Sequence, residues 1–224
     1  NLKILIRQIF KKIKVKKFKI IIVDDDSKDG TRQLLNKMLL LFKNLKYISR
    51  KAKPGDLSKS CTLAFNKSKY SNILVMDGDL QHRPKDINKL CSVFFNDYHD
   101  LVVGSRNLFK KKNKGLKFYR LIASIFLIFI VNIFLGFRTS DPMSGFFLFK
   151  KKIYLKNKKF LFNKGYKILL DLIYFPKEKI KVSDVHIKFQ SRPKGSSKMS
   201  LKIIYLLLLV IFKKFIVRLS KAFW

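Results

Sequence analysis

Asp77 and Asp79 stand one residue apart in ILVMDGDLQH (Ile73–His82), directly after the apolar run Ile73–Met76. Two carboxylates this close repel by about 4 kcal/mol at ~4 Å and an effective dielectric of ~20. A divalent cation between them reverses the sign. Oxygen ligands of this kind suit Mg²⁺ or Mn²⁺, which keep waters and share a substrate phosphate. Read from the dipeptide spacing alone, a polar turn serves equally well, because Asp and Gly favour turns in any case. A second acidic group, Asp24, Asp25 and Asp26, follows the apolar run Lys19–Val23 and leads through Ser27 to Asp29 and Gly30.

The elements around these residues alternate. Leu2, Leu5, Ile6, Ile9 and Ile13 mark a helical stripe over Asn1–Ile13. Lys19–Val23 reads as a buried strand, Thr31–Phe42 as a helix and Leu45–Ser49 as a short strand. Asp56 or Ser58 can cap a helix that runs through Lys67. After the strand Ile73–Met76, Pro84 suits the start of a helix to about Asn96, and Leu101–Gly104 reads as the next strand. This order predicts a mostly parallel sheet flanked by helices, with ligands outside the carboxyl ends of the strands. Both acidic clusters fall at such ends, which a turn-only reading does not explain.

The second half is less regular. Leu121–Phe137 is nearly all apolar between Arg120 and Arg138, and Ser124 and Asn132 interrupt it. It falls short of the ~18–20 residues a span requires, so a buried or interfacial helix is expected. Gly145–Phe149 reads as a strand, Tyr166–Phe175 as a helix, Lys179–Phe189 as a strand and Gln190–Met199 as a basic loop. Ser200–Trp224 reads as a final helix with Leu208, Ile211, Phe215 and Leu219 on one stripe and Lys214, Arg218 and Lys221 on another. A basic amphipathic helix of this kind suits a membrane surface. The domain reading is therefore 1–199 for the catalytic body and 200–224 for this helix.

Composition narrows the partners. The 224 residues hold 50 Lys and Arg against 14 Asp and Glu, a net charge of +36, which calls for an anionic partner. A hydrophobic fraction of 48% excludes a disordered tail. Cys61 and Cys91 do not make a disulfide framework, and no Cys/His metal spacing or signal peptide is visible. No helix-turn-helix, zinc-finger or aromatic RNA-binding signature appears, so nucleic acid is not expected.

Five ordered motifs carry a resemblance: VDDDSKDGT (Val23–Thr31), VMDGDLQHRP (Val75–Pro84), VVGSRN (Val102–Asn107), DPMSGFF (Asp141–Phe147) and FQSRPKGSSKM (Phe189–Met199). Together they resemble the family 2 glycosyltransferases, and within them the dolichol-phosphate mannose synthase group. The resemblance implies a nucleotide-diphospho-sugar transferase (GT-A) fold, a divalent metal (Mg²⁺ or Mn²⁺), a sugar nucleotide donor and a polyprenyl phosphate acceptor. It implies that Val23, Asp24 and Asp25 hold the donor's base and ribose, and an Asp can indeed take two ribose hydroxyl donors. Asp77, Asp79 and Gln81 match the metal ligands, with Gly78 close to the donor. Arg106, Arg120 and Ser124 match residues facing the acceptor phosphate. Arg192 and Lys198 match a mobile loop that closes over both substrates, with Gly195 giving it freedom and Ser197 a hydroxyl.

The implied chemistry is displacement with inversion at the anomeric carbon. A monoalkyl phosphate has a second pKa of about 6 and is already a nucleophile near neutral pH. His82, His99 and His186 therefore receive no catalytic role, and Asp79, Arg106, Arg192 and Lys198 carry the reaction by placement and charge. Asp141 could orient a hydroxyl or simply cap the strand, and the structural role is favoured. The lipid acceptor implies a peripheral enzyme on the cytoplasmic face of a membrane. Two departures from the family stand out. The family's first strand, with its P-x-x-N-E motif, has no counterpart here, so an open sheet edge is expected. The family's Gly-Leu is Asp56-Leu57, which puts a negative charge near a diphosphate. Alternative readings are sugar transfer from a UDP donor such as UDP-glucose to undecaprenyl phosphate, and a non-catalytic basic protein on membranes or nucleic acid.

Overall fold

A computed structural model of the chain describes residues 1–51, 55–106, 118–162, 165, 168–174, 178–191, 208–209, 211–212 and 214–216, with side chains of the long central helix from residue 121. The elements run α1 (Leu2–Lys12), β1 (Ile20–Asp24), α2 (Thr31–Leu41), β2 (Leu45–Ser49), α3 (Leu57–Lys67), β3 (Asn72–Val75), α4 (Asp86–Asn96), β4 (Leu101–Arg106), α5 (Phe118–Leu135), β5 (Phe147–Lys150), α6 (Lys151–Asn157), α7 (Ile168–Tyr174) and β6 (Val182–Ile187).

Local chemistry accounts for most of these bounds. α1 buries Leu5, Ile6 and Ile9 and places Lys11 and Lys12 in its last turn, where cations suit the helix dipole. α3 starts at Asp56, whose carboxylate accepts from the Lys59 N–H at 3.2 Å. β4 is buried from Leu101 through Ser105, as a strand covered on both faces must be.

The strands form two groups. β1 pairs with β2 in parallel, from Ile20 opposite Leu45 to Asp24 opposite Ser49. The other four lie in the order β3-β5-β4-β6. β4 and β6 are parallel, whereas β5 runs antiparallel to both β3 and β4. The expected parallel pairing thus holds for β1–β2 and β4–β6, and β5 is the strand that the alternation of elements did not orient. Its direction has a plain cause. Asp141 is bonded to Arg106 at the carboxyl end of β4, so the chain enters β5 from that end and must run back against its neighbours.

α1 lies across both strand groups. Ile6 packs with Leu35, Met38 and Leu45, while Leu5 and Ile9 pack with Ile87, Leu90, Phe94 and Phe146. The main core lies on the other side of the larger sheet, around Phe65, Phe147, Phe149, Leu169 and Leu172. α5 buries Leu127, Ile128, Val131 and Leu135 against Met143, Leu170 and Ile211. Its opposite side leaves Ile122, Phe126, Phe129 and Ile133 exposed. Among the described residues, no helix is long and apolar enough to cross a membrane. α6 was not foreseen: about two helical turns, with Ile153 and Tyr154 buried among lysines, are too short to show a period.

Most of the expected final helix, 200–224, lies outside the described residues. Those described are helical, and Phe215 packs edge-on against Phe134 of α5 at 5.1 Å. The expected stripes turn out rotated. Ile211 and Lys214 are buried, and Leu208, Leu209, Phe212 and Ile216 face outward. Lys214 Nζ donates to the Leu170 carbonyl at 2.9 Å and lies 3.9 Å from Asp171 Oδ1. Burial pulls its pKa well down, against the opposing Asp171 carboxylate. The buried carboxylate is the reason a lysine faces inward here.

Gly104 of β4 donates its N–H to the Phe146 carbonyl at 2.8 Å, and a Cβ at Gly104 would lie 2.5 Å from Phe146 Cδ1. Gly104→Ala should therefore destabilise the fold by about 1–3 kcal/mol, read as a lower urea midpoint with an unchanged m-value.

Candidate active site

Four backbone segments meet at one edge of the larger sheet. The β3 and β4 strands end there, β5 begins there, and the residues after β6 return to it. Asp77 and Asp79 follow β3 and are half-buried. Asp79 Oδ1 accepts from the Gln81 N–H at 3.0 Å. Between them Leu80 takes φ +68°, and its side chain packs into the core beneath α1 and α4. A side-chain carbon at Gly145, just before β5, would collide with the Asp77 carboxylate. Only a glycine allows the backbone and that carboxylate to approach so closely. Gln81 and Gln190 clasp each other: the Gln190 N–H donates to the Gln81 carbonyl at 2.9 Å, and Gln81 Nε2 donates to the Gln190 carbonyl at 3.1 Å.

These residues fit a hard divalent cation. The donors are two carboxylates on one tight turn and the Gln81 amide, whose Nε2 is taken up by Gln190 so that Oε1 is the acceptor. No group of three or more His, Cys, Asp and Glu that could hold a metal ion occurs among the described residues. A soft-metal or all-protein cage is thus not what the turn offers; two or three oxygens with room for water and phosphate is the Mg²⁺ and Mn²⁺ pattern.

Arg106 closes the next side. Its Nε and Nη2 donate to Asp141 Oδ2 and Oδ1 at 2.6 and 2.8 Å, and its backbone N–H donates to Oδ2 at 3.1 Å. Asp141 is fully buried. Burial works to lower the Arg106 pKa, but Asp141, with Asp77 behind it, raises it overall, so the charge is fixed. The guanidinium carbon lies 5.5 Å from the Phe189 ring centroid, a cation–π distance. Asp141 is structural, as the sequence reading has it. Its partner Arg106 was not foreseen as that anchor.

The acidic turn after β1 is held differently. Asp25 Oδ1 accepts from Arg50 Nε at 2.8 Å and from Ser60 Oγ at 2.5 Å. Its Oδ2 accepts from Arg50 Nη2 at 2.6 Å and from the Asp56 N–H at 2.9 Å. A carboxylate offers about four lone-pair positions, and all are in use. Direct capture of a ribose by Asp25 would need one of these bonds exchanged. Burial would raise the Asp25 pKa, but the Arg50, Ser60 and Asp56 donors outweigh it and hold the carboxyl below its ordinary value. Asp24, beside Val23, is buried and accepts from Ser27 Oγ at 2.5 Å and the Ser27 N–H at 3.2 Å. Asp56 does not stand as a loose charge. It caps α3 and accepts from the Gly165 N–H at 3.1 Å.

The carboxylates of both acidic turns act on Cys61 of α3. Burial, then the Asp77, Asp25 and Asp56 carboxylates, pushes its thiol up to about 12. Ser124 is buried on α5 and has no hydrogen bond to Asp77, Asp79 or Arg106 among the described residues. Arg120 lies in α5 with its side chain outside the described part, and Arg192 and Lys198 lie outside the described residues. The residues that sequence reasoning missed are Arg50, Ser60 and Gly145. Arg50 had one signal: an arginine in a chain whose cations are mostly lysine, and only arginine closes a two-point fork on a carboxylate.

Residues 1–157 match the model of Glycosyl transferase family 2. The dolichol-phosphate mannosyltransferase of Pyrococcus furiosus is 32% identical over 193 residues, 84% of this chain and 52% of the relative. This chain thus spans about half the length of that relative. The Saccharomyces cerevisiae dolichol-phosphate mannosyltransferase is 31% identical over 202 residues, covering 84% of this chain and 71% of the relative. A Methanococcus voltae UDP-N-acetylglucosamine–dolichyl-phosphate N-acetylglucosaminyltransferase is 29% identical, covering 85% and 84%. Among solved structures, glucosyl-3-phosphoglycerate synthase from Mycobacterium tuberculosis, crystallised with Mn²⁺, UDP-glucose and phosphoglyceric acid, superposes with a TM-score of 0.63 at 14% identity, over 97% of this chain and 74% of that one. The likeness places the chain in the GT-A fold.

Asp141→Ala strands a buried guanidinium and should cost about 3–5 kcal/mol in urea unfolding. The Asp25 carboxyl is depressed on folding, so its stabilisation is present above the ordinary value of 3.8 and is lost as pH falls through the lower folded value. Unfolding measured from about pH 5 down to about pH 3 should show a shallower acid loss in Asp25→Asn than in the parent.

Proposed function

Because the chain belongs to glycosyl transferase family 2, we propose that it transfers a hexose from a sugar nucleotide to a polyprenyl phosphate at a membrane surface, with inversion. The observation that carries this reading is the meeting of Asp77, Asp79, Gln81 and Arg106 at one sheet edge. Asp77 and Asp79, with Gln81 Oε1, would hold Mg²⁺ or Mn²⁺. Bound there, the cation would neutralise the leaving nucleoside diphosphate. Asp24, Val23 and the turn that Asp25 braces would seat the nucleoside. Arg106, held by Asp141, keeps its charge beside the carboxylates and would draw the acceptor phosphate toward the anomeric carbon, with Arg120 and Ser124 on α5 behind it. Arg192 and Lys198 would close over both anions. The acceptor oxygen needs no general base, since a phosphate monoester is mostly dianionic near neutral pH.

The relatives' names support mannose as the sugar and dolichyl phosphate as the lipid class. A UDP-sugar donor is the second reading, supported by the Methanococcus voltae relative. Membrane contact is supported by an apolar face with no partner among the described residues: Ile122, Phe126, Phe129 and Ile133 of α5 beside Leu208, Leu209, Phe212 and Ile216. The surplus of Lys and Arg in the sequence suits an anionic lipid surface, where each nearby cation contributes about 1 kcal/mol. The protein would then work as a peripheral enzyme on the cytoplasmic face.

The test is transfer to phytanyl phosphate from GDP-mannose and from UDP-glucose, with Mn²⁺ and with chelator. Transfer from GDP-mannose that chelation abolishes is the expected result. Asp79→Ala should reduce transfer on the order of a thousandfold and leave co-sedimentation with anionic vesicles unchanged. No transfer from either donor by the parent, with vesicle binding intact, would turn the reading toward a non-catalytic membrane protein.

A further inference from the structure

His82 is a histidine at the sheet edge, and nothing in the transfer chemistry uses it. It follows Gln81 in the β3 turn and is 1% exposed. Two aromatic rings fix its plane: Phe146 at 5.1 Å and 33°, and Phe189 at 5.1 Å and 65°. Its Nε2 lies 3.7 Å from Asp77 Oδ2. Its Nδ1 is buried and has no hydrogen-bond partner among the described residues.

These facts favour one ring tautomer over the other. A proton on Nδ1 would bury an N–H donor with nothing to accept it, and would turn the Nε2 lone pair toward a carboxylate. With the proton on Nε2, the buried nitrogen is a bare lone pair and the N–H is on the nitrogen that lies 3.7 Å from Asp77 Oδ2. The separation is longer than a hydrogen bond, as such contacts often are before the ligand is present. Oδ2 is also the Asp77 oxygen nearest to Gly145, so it is confined from two sides.

We infer that His82 is a positioning residue for the cation site: its Nε2–H holds Asp77 Oδ2 against Gly145 and thereby presents Oδ1 to the metal. Histidine–carboxylate pairs behind a metal ligand typically alter metal affinity 10–100-fold when removed. The arrangement also explains why so bulky a polar ring is buried between two phenylalanines. An apolar side chain would fill the space, but it could not orient the carboxylate. Phe189 further links this ring to Arg106, which stacks on the same phenylalanine at 5.5 Å. The inference rests on the reading that Asp77 and Asp79 hold the cation.

The test is titration of the full chain with Mn²⁺ alone, following free Mn²⁺ by electron paramagnetic resonance, together with thermal melts. Glutamine can place its Nε2–H where the histidine Nε2–H lies; leucine cannot donate. His82→Leu is expected to weaken Mn²⁺ binding about 10-fold or more, and His82→Gln to recover most of that loss even if both variants melt lower than the parent. Equal Mn²⁺ affinity in His82→Leu and the parent would overturn the inference, as would equal weakening in the Leu and Gln variants, which would make His82 a packing residue. Asp79→Ala separates the two levels. If it abolishes Mn²⁺ binding while the His82 variants bind like the parent, the site stands and only the role of His82 falls. A parent chain that binds no Mn²⁺ overturns both.

Discussion

An arginine fork closed on a carboxylate out of reach of water, Arg106 on Asp141, is the contact from which the geometry of the sheet edge follows. It joins the end of β4 to the segment before β5 by three hydrogen bonds. From there the chain is committed. Ser144 Oγ donates to the Gly104 carbonyl at 2.7 Å, Gly145 lies under Asp77, and Phe146 bonds back to Gly104. Thr139 and Ser140 tie the same segment to Asp184 of β6, with the Ser140 N–H donating at 2.7 Å. A buried ion pair is a poor source of net stability, because desolvation offsets most of its attraction. Its use here is registry: it decides which way β5 runs and which backbone faces the turn that carries Asp77 and Asp79.

Much of this was legible in the chain because strands made of Ile, Val and Leu abut carboxylates without a gap. Ile20–Asp24 and the Ile73–Val75 part of β3 announce both the strand and the place where it ends. The family resemblance then assigned those ends a chemistry that spacing alone left open. What stayed hidden was non-local. The direction of β5 depends on a partner 35 residues back. The inward turn of Lys214 depends on Asp171, and a period of apolar residues cannot reveal a buried carboxylate on another helix. α6 is too short to show any period. Arg50 and Gly145 look ordinary until Asp25 and Asp77 come to rest against them.

The cations divide by type. Arg50, Arg83 and Arg106 each close a two-point fork on an aspartate, namely Asp25, Asp86 and Asp141. An ammonium cannot do this, since it offers a point charge and not a planar pair of donors. In a chain of net charge +36, most of the described lysines are exposed, while these arginines are architectural. Charge surplus speaks about partners; the guanidinium forks speak about shape.

Leu80 shows a conflict that the fold has decided. Its backbone, at φ +68°, is one that glycine adopts at little cost and a branched side chain resists. Its side chain, however, is anchored among Leu2, Ile87 and Phe94. The anchor prevails, and the turn carrying Asp79 and Gln81 is held in one conformation. Glycine would relax the backbone and free the turn to wander, so that any ligand bound there would have to freeze it afresh. A ranking of variants by folding energy alone could thus favour the very change that makes the turn a worse host.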